Sequence, residues 1–221
     1  MSISATTLLA LLAANDNFGQ PEVHRTALMK QAYLVETMRP LYRIWRRTFS
    51  FVRYRYGPFS DEVFQRLDNL IFNGFVTVTT FAAFQGRYEA RYRITGAGRT
   101  CLKHIGLPEM SELAMDLIWA LQSLGVDQGT KITKLVYQEA EFARLLKEHT
   151  VLGIGAESKV PLPQVTDANN ATLVALSSFQ SLSRGVEPLQ QTLSTRAVVR
   201  LFLSHLALSQ RRATTSGRHG E

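Results

Sequence analysis

An α+β fold is what the sequence predicts, and three observations predict it. The run RYEARYRI (87–94) alternates with a period of two, and VTVTTF (76–81) before it is β-rich. Elsewhere the apolar residues recur at helical spacing, and turn and cap signals at Gly57-Pro58, Ser60 and Gly74 separate the two kinds of segment. Their order, strand, turn, helix, hairpin, predicts an N-terminal winged helix-turn-helix. A mainly α-helical C-terminal region follows it.

The stretch from Phe49 to Phe75 organises this reading. An extended run stops at Gly57-Pro58, and Ser60 is placed to cap a helix through its hydroxyl. Asp61 and Glu62 suit the positive end of that helix, and Gly74 supplies its stop. Val63, Phe64, Leu67, Leu70 and Ile71 form its apolar face. In the hairpin, Tyr88, Ala90, Tyr92 and Ile94 fall on one side, with Val76 and Val78 packed against them; Arg87, Glu89, Arg91 and Arg93 fall on the other. Two strands alone are marginal in water, so the hairpin must lie on the helices and its arginine face must be exposed. Thr95 then caps a short helix through Cys101 and Leu102, and the unit closes near Pro108.

Before this stretch, residues 4–14 read as a helix with Leu8, Leu9, Leu11 and Leu12 buried, and 15–21 as a loop. A second helix runs from about Glu22 to Met38, ended by Pro40. The insert RPLYRIWRR (39–47) carries four arginines among Tyr42, Ile44 and Trp45. Trp45 is expected to anchor it on the core, whereas the arginines suit either a surface turn or phosphate binding. Beyond Pro108, residues 110–124 and 130–149 are two amphipathic stretches that predict an αα-hairpin. Residues 151–172 read as a long Gly- and Pro-containing linker. The last helix, about 194–212, is apolar on much of its circumference. It must be covered by the core, by a second copy or by a partner, with Val198, Leu201, Phe202 and Leu206 as candidate interface residues. The organisation expected is therefore 1–108 winged helix, 109–150 helical hairpin, 151–172 linker, 173–212 helical segment and 213–221 disordered tail.

Charge is unevenly shared. The chain has a net charge of +7; through Pro108 there are 14 Lys and Arg against 7 Asp and Glu, and beyond it 11 against 11. The whole excess lies in the first half, almost all of it arginine, so a polyanion is the first partner to consider. The single cysteine fits a reducing compartment, and the apolar run from Leu8 to Ala14 is too short to span a bilayer and lacks the flanks of a secretory signal. A cytoplasmic protein with no membrane association is expected.

Catalytic signals are weak. The five histidines are dispersed without metal-ligand spacing. Gly96-Ala97-Gly98 lacks the third glycine and the lysine of a phosphate loop and reads as a helix cap. Glu157-Ser158-Lys159 has no companion aspartate on a strand, and Cys101 near His104 reads as a small buried hydrophobe. No catalytic residue, metal or cofactor is expected.

Four segments taken together, LMKQAYL (28–34), YRYGPFS (54–60), LDNLIFNG (67–74) and YRITGAG (92–98), resemble the YwgA-like and Panacea (SocA-like antitoxin) winged-helix proteins over roughly residues 24–105. The resemblance implies a bacterial or phage-encoded protein in a toxin–antitoxin, phage-defence or regulatory setting, without catalytic residues.

Two functions follow. In the first, the helix from Ser60 enters the major groove of double-stranded DNA with Gln65, Arg66, Asn69 and Asn73 at base edges. Arg87, Arg91 and Arg93 of the hairpin hold phosphates, together with Arg53, Arg55, Arg43, Arg46 and Arg47. Asp61, Glu62 and Asp68 on the same helix oppose this, so the arginines outside it would carry the affinity. In the second, the fold is an adaptor or antitoxin-like subunit that contacts a partner protein without DNA. A homodimer through the C-terminal helices would reconcile the two.

Overall fold

The computed structural model describes residues 1–54, 57–84, 87–127, 129–151, 155, 158–162 and 194–216. Side chains are described for these except at 81–84, 87, 88, 140, 141, 145, 149, 151 and 209–216. The chain is α+β, mostly helical with two small antiparallel sheets.

The centre of the molecule is its first helix, α1 (Ile3–Asn17), and not the Phe49–Phe75 stretch. Its alanines, leucines and threonines leave no polar face, so it is buried all round, with Leu8, Leu9, Leu11 and Leu12 at 1 % exposure or less. The hydroxyls of Thr6 and Thr7 donate back to the carbonyls of Ser2 and Ile3, and Asn15 pairs with Gln31 through both amides, so its polar groups are satisfied inside. Around it pack α2 (Arg25–Met38), α3 (Asp61–Phe72), α4 (Gly96–Ile105) and α5 (Pro108–Ser123).

The hairpin β4 (Val76–Phe84) and β5 (Arg87–Ile94) gains a third strand that the sequence pattern hides, β1 (Val23–His24), giving the order β1-β5-β4. The second helix accordingly starts three residues later than its periodicity implies. Ala90, Tyr92 and Ile94 are buried as the alternation requires, and Val76 joins them. Val78 does not: a bulge between Val78 and Thr80 ends the regular register, and Val78 is exposed.

The YRYGP stretch is a hairpin in its own right, β2 (Val52–Tyr54) and β3 (Gly57–Phe59). Across β2 from β3 lies β6 (Val160–Pro161), inside the segment expected to be linker. At the start of α3, Ser60 occupies the cap position but its hydroxyl makes no cap hydrogen bond; the side chain is buried and has no hydrogen-bond partner among the described residues. Glu62 ties this end to the preceding chain instead, accepting from the Ser50 N–H, while the nearby Ser4 hydroxyl donates to the Thr48 carbonyl. The other end follows expectation, with Gly74 at φ +72° and the N–H groups of Gly74 and Phe75 closing on Ile71 and Leu70.

The insert after α2 is anchored by different residues from the one expected. Trp45 is 66 % exposed, while Arg39 is fully buried and donates to Glu36 and to the carbonyls of Ile44 and Trp45. The Tyr42 hydroxyl donates to Asp116 on α5.

In the second half, the stretch 130–149 is two helices, α6 (Gly129–Tyr137) and α7 (Ala140–Val151), broken at Glu139. That carboxylate is buried, accepts from Tyr33 Oη and caps α7 through the Phe142 N–H. The expected αα-hairpin is replaced by a different packing: α5 and α6 each lie against α2 and against the last helix, α8 (Thr195–Ser216). One apolar cluster runs from Ala5 to Leu206, across the boundary expected at Pro108. The helix α8 extends into the tail expected to be disordered, as far as Ser216; residues 163–193 and 217–221, with the remaining linker and helical-segment expectations, lie outside the described residues. Among the described residues no helix is long and apolar enough to cross a membrane.

Candidate functional site

The residues expected to meet DNA are dispersed over the molecule. On α3, Asp61, Gln65, Asp68, Asn69 and Phe72 recur at helical spacing and form one exposed stripe. Asn73 is exposed at its end, with its amide spent on the Asn69 carbonyl. Arg66 is half-buried, 4.0 Å from Glu62. The stripe therefore carries two carboxylates and ends on Phe72, which is 91 % exposed.

On β5, Arg91 and Arg93 both face Glu22, at 3.7 and 2.9 Å. Each is half exposed, so the pairs are worth little in stability, but the carboxylate between them offsets part of the charge that a phosphate would meet. Arg53 is corrected outright: it is 7 % exposed on β2, and its charge lies near the Tyr137 hydroxyl. Arg55 and the side chain of Arg87 lie outside the described residues.

Arg43, Arg46 and Arg47 follow the C-terminal end of α2, whereas Glu22 and β1 precede its N-terminal end. A helix of 14 residues is about 20 Å long. The loop arginines and the hairpin arginines are therefore held apart at opposite ends of α2. Arg43 and Arg46 are exposed, and Arg47 donates to the Phe49 carbonyl.

The candidate partner surface on α8 is also corrected. Val198, Phe202 and Leu206 are buried, and Phe202 and Leu206 join the central apolar cluster; only Leu201 remains exposed. The helix is latched by Arg196, which pairs with Asp116 at 2.9 Å and, like Arg200, stacks over Trp119. One side of the apolar circumference is thus covered within the chain, while Leu201 and Leu208 remain exposed.

One concave site was missed. The face of α2 carrying Arg25, Thr26, Met29 and Lys30 looks onto the β2–β3 hairpin, and Phe64 of α3 closes the side, around a cavity of about 190 Å³. Arg25 lies 3.8 Å above the Phe64 ring, and the Tyr54, Phe59 and Phe64 rings form a continuous row at 5.6 Å spacings. Lys30 is 3 % exposed, and its Nζ donates to the Pro58 carbonyl at 2.9 Å. Burial holds its pKa down at about 7. Gly57 makes room for it: φ there is +95°, and a Cβ would sit 3.0 Å from Nζ. Outside the cavity, Lys159 pairs with Asp61 and lies over Tyr54 and Phe59. Lys30 of the segment LMKQAYL and Gly57-Pro58 of the segment YRYGPFS meet here, which was the available signal in the sequence.

Among the described residues no group of His, Cys, Asp and Glu side chains could hold a metal. Cys101 is half-buried on α4. The chain matches no protein-family model and no curated protein sequence.

Proposed function

We propose that this chain is a non-enzymatic winged-helix protein that works as an interaction subunit, antitoxin-like or adaptor, in the bacterial or phage setting that its motifs imply. The sheet order β1-β5-β4 beside α2 and α3 supports the winged-helix part. The outer stripe of α3 carries the choice of partner. Asp68, and Asp61 to the extent that its pair with Lys159 leaves it charge, would disfavour a phosphate backbone, and with the fully presented Phe72 they suit a protein surface with basic and apolar features.

The test is co-expression with the product of the adjacent gene, followed by size-exclusion chromatography of wild type and Phe72→Ser. Co-elution that the variant loses is the expected result. Unchanged co-elution, or none, would count against the stripe.

DNA binding, the leading expectation from the sequence, becomes the second reading and is kept because Arg43, Arg46 and Trp45 are exposed close together in the chain. A duplex titrated over a salt series decides it. Removing Arg91 and Arg93 together should leave any salt slope unchanged; a slope shallower by about two would restore the hairpin as a phosphate clamp.

A further inference from the structure

Lys30 is a buried amine without an acid. An ammonium carries three donors, and among the described residues this one has a single hydrogen bond, to Pro58, and no ion-pair partner. A charge held this way is costly unless an anion reaches it. Among the described residues the cavity wall supplies two basic groups, the Arg25 guanidinium and the Lys30 amine that an anion would hold protonated, and no carboxylate.

A second observation points the same way. The cavity opens at the first turn of α2, where Arg25 and Thr26 are the first helical residues and His24 makes no side-chain cap hydrogen bond. The positive end of a 14-residue helix thus adds to the two basic groups. The remaining wall is apolar, from Met29, Phe59 and Phe64. A cavity of roughly 150 Å³ accepts benzene, so about 190 Å³ holds one ring-sized group together with a small charged head.

We propose that this cavity binds a carboxylate attached to one ring-sized apolar group, the carboxylate between Lys30 and Arg25 and the ring among Met29, Phe59 and Phe64. The same chemistry is offered by a free aryl or alkyl acid and by the C-terminal residue of a polypeptide. Neither source depends on whether the rest of the surface meets protein or nucleic acid.

The experiment is calorimetric titration of the full chain with 3-phenylpropionate, with its amide, and with a tetrapeptide ending in phenylalanine as free acid and as C-terminal amide. At least one acid should bind about tenfold tighter than its own amide, because only the acid pairs with the cations. Lys30→Met, which keeps the length and removes the charge, should bring acid and amide to parity. Arg25→Gln, at an exposed position, should weaken the acid at least about threefold in a variant whose fold is intact by circular dichroism. Tighter binding of the peptide acid assigns a chain terminus, and tighter binding of phenylpropionate assigns a free acid. Equal binding of acid and amide, no binding at about 10 mM, or a preference that survives in a folded Lys30→Met variant would each overturn the assignment.

Discussion

Lys30 and Arg39 lie nine positions apart, both nearly inaccessible to water, and their surroundings give them opposite roles. Arg39 is matched: Glu36 takes its Nε at 2.9 Å, and the same carboxylate accepts from the Thr48 N–H, so the pair joins the end of α2 to the chain returning toward β2. Arg39→Met leaves Glu36 buried without its cation and should cost about 3 kcal/mol in urea unfolding, well beyond an ordinary surface change. Lys30 has no such acid among the described residues, and burial holds its folded pKa at about 7, below the ordinary lysine value of 10.5. Between these values the unfolded chain binds more protons than the folded one, so this residue makes stability rise with pH from about 7 toward 10.5. Below pH 7 its full penalty applies. Subtracting the Lys30→Met curve from that of wild type should isolate a difference on the order of a few kcal/mol, largest at the acid end of that window. A flat difference would show that the amine is not held in the apolar surroundings described.

Helix ends decide how the elements join. Gly98, in the first turn of α4, is buried so closely under the end of α3 that a Cβ would lie 2.2 Å from the Phe75 carbonyl and 2.9 Å from Ile94. Gly98→Ala should therefore force α4 away from β5 and destabilise the fold by roughly 2 kcal/mol, read as a lower Tm without loss of helix in circular dichroism. The break between α6 and α7 has a comparable cause. Periodicity continues through 130–149, but Glu139 leaves the helix to bond Tyr33 and the Phe142 N–H. Glu139→Ala should cost about 2 kcal/mol, and Tyr33→Phe less, because the second change leaves the α7 cap in place. Such a break is invisible to hydrophobic spacing, since it depends on a tyrosine more than a hundred residues away.

For the molecule as a unit, the two halves are one folding body. α5 and α6 complete the burial of α2, α5 packs on α1, and α8 packs on α5 and α6, so a chain ending before Thr195 exposes the apolar surface of α5 and α6 on which the burial of the first half depends. Such a truncation should lose its cooperative thermal transition altogether, whereas independent halves would leave residues 1–108 melting normally. The net charge of +7 is carried by groups that do not converge: Arg39 and Arg53 are buried, Arg91 and Arg93 share Glu22, and Arg43 and Arg46 lie at the far end of α2. Nonspecific attraction to polyanions should therefore be modest and fade within physiological salt, as elution from heparin would show.

Local physics made much of this legible in the sequence. The period-two face of β5, the apolar face and Gly74 stop of α3, the Thr95 cap and the helix Pro108–Ser123 are set by neighbours a few residues apart, and they appear where the pattern places them. What required the tertiary structure involves partners far along the chain. The pairing of Val23 with Tyr92, the exposure of Trp45 and the burial of Ser60, Val198, Phe202 and Leu206 are all of this kind. An apolar helix must be covered, but composition does not say by what, and here α5 and α6 of the same chain cover α8. Likewise, an arginine in the sequence is only a charge. Whether it meets solvent, a carboxylate or a ring depends on which segments fold beside it, and that decided which basic residues remain available to a partner.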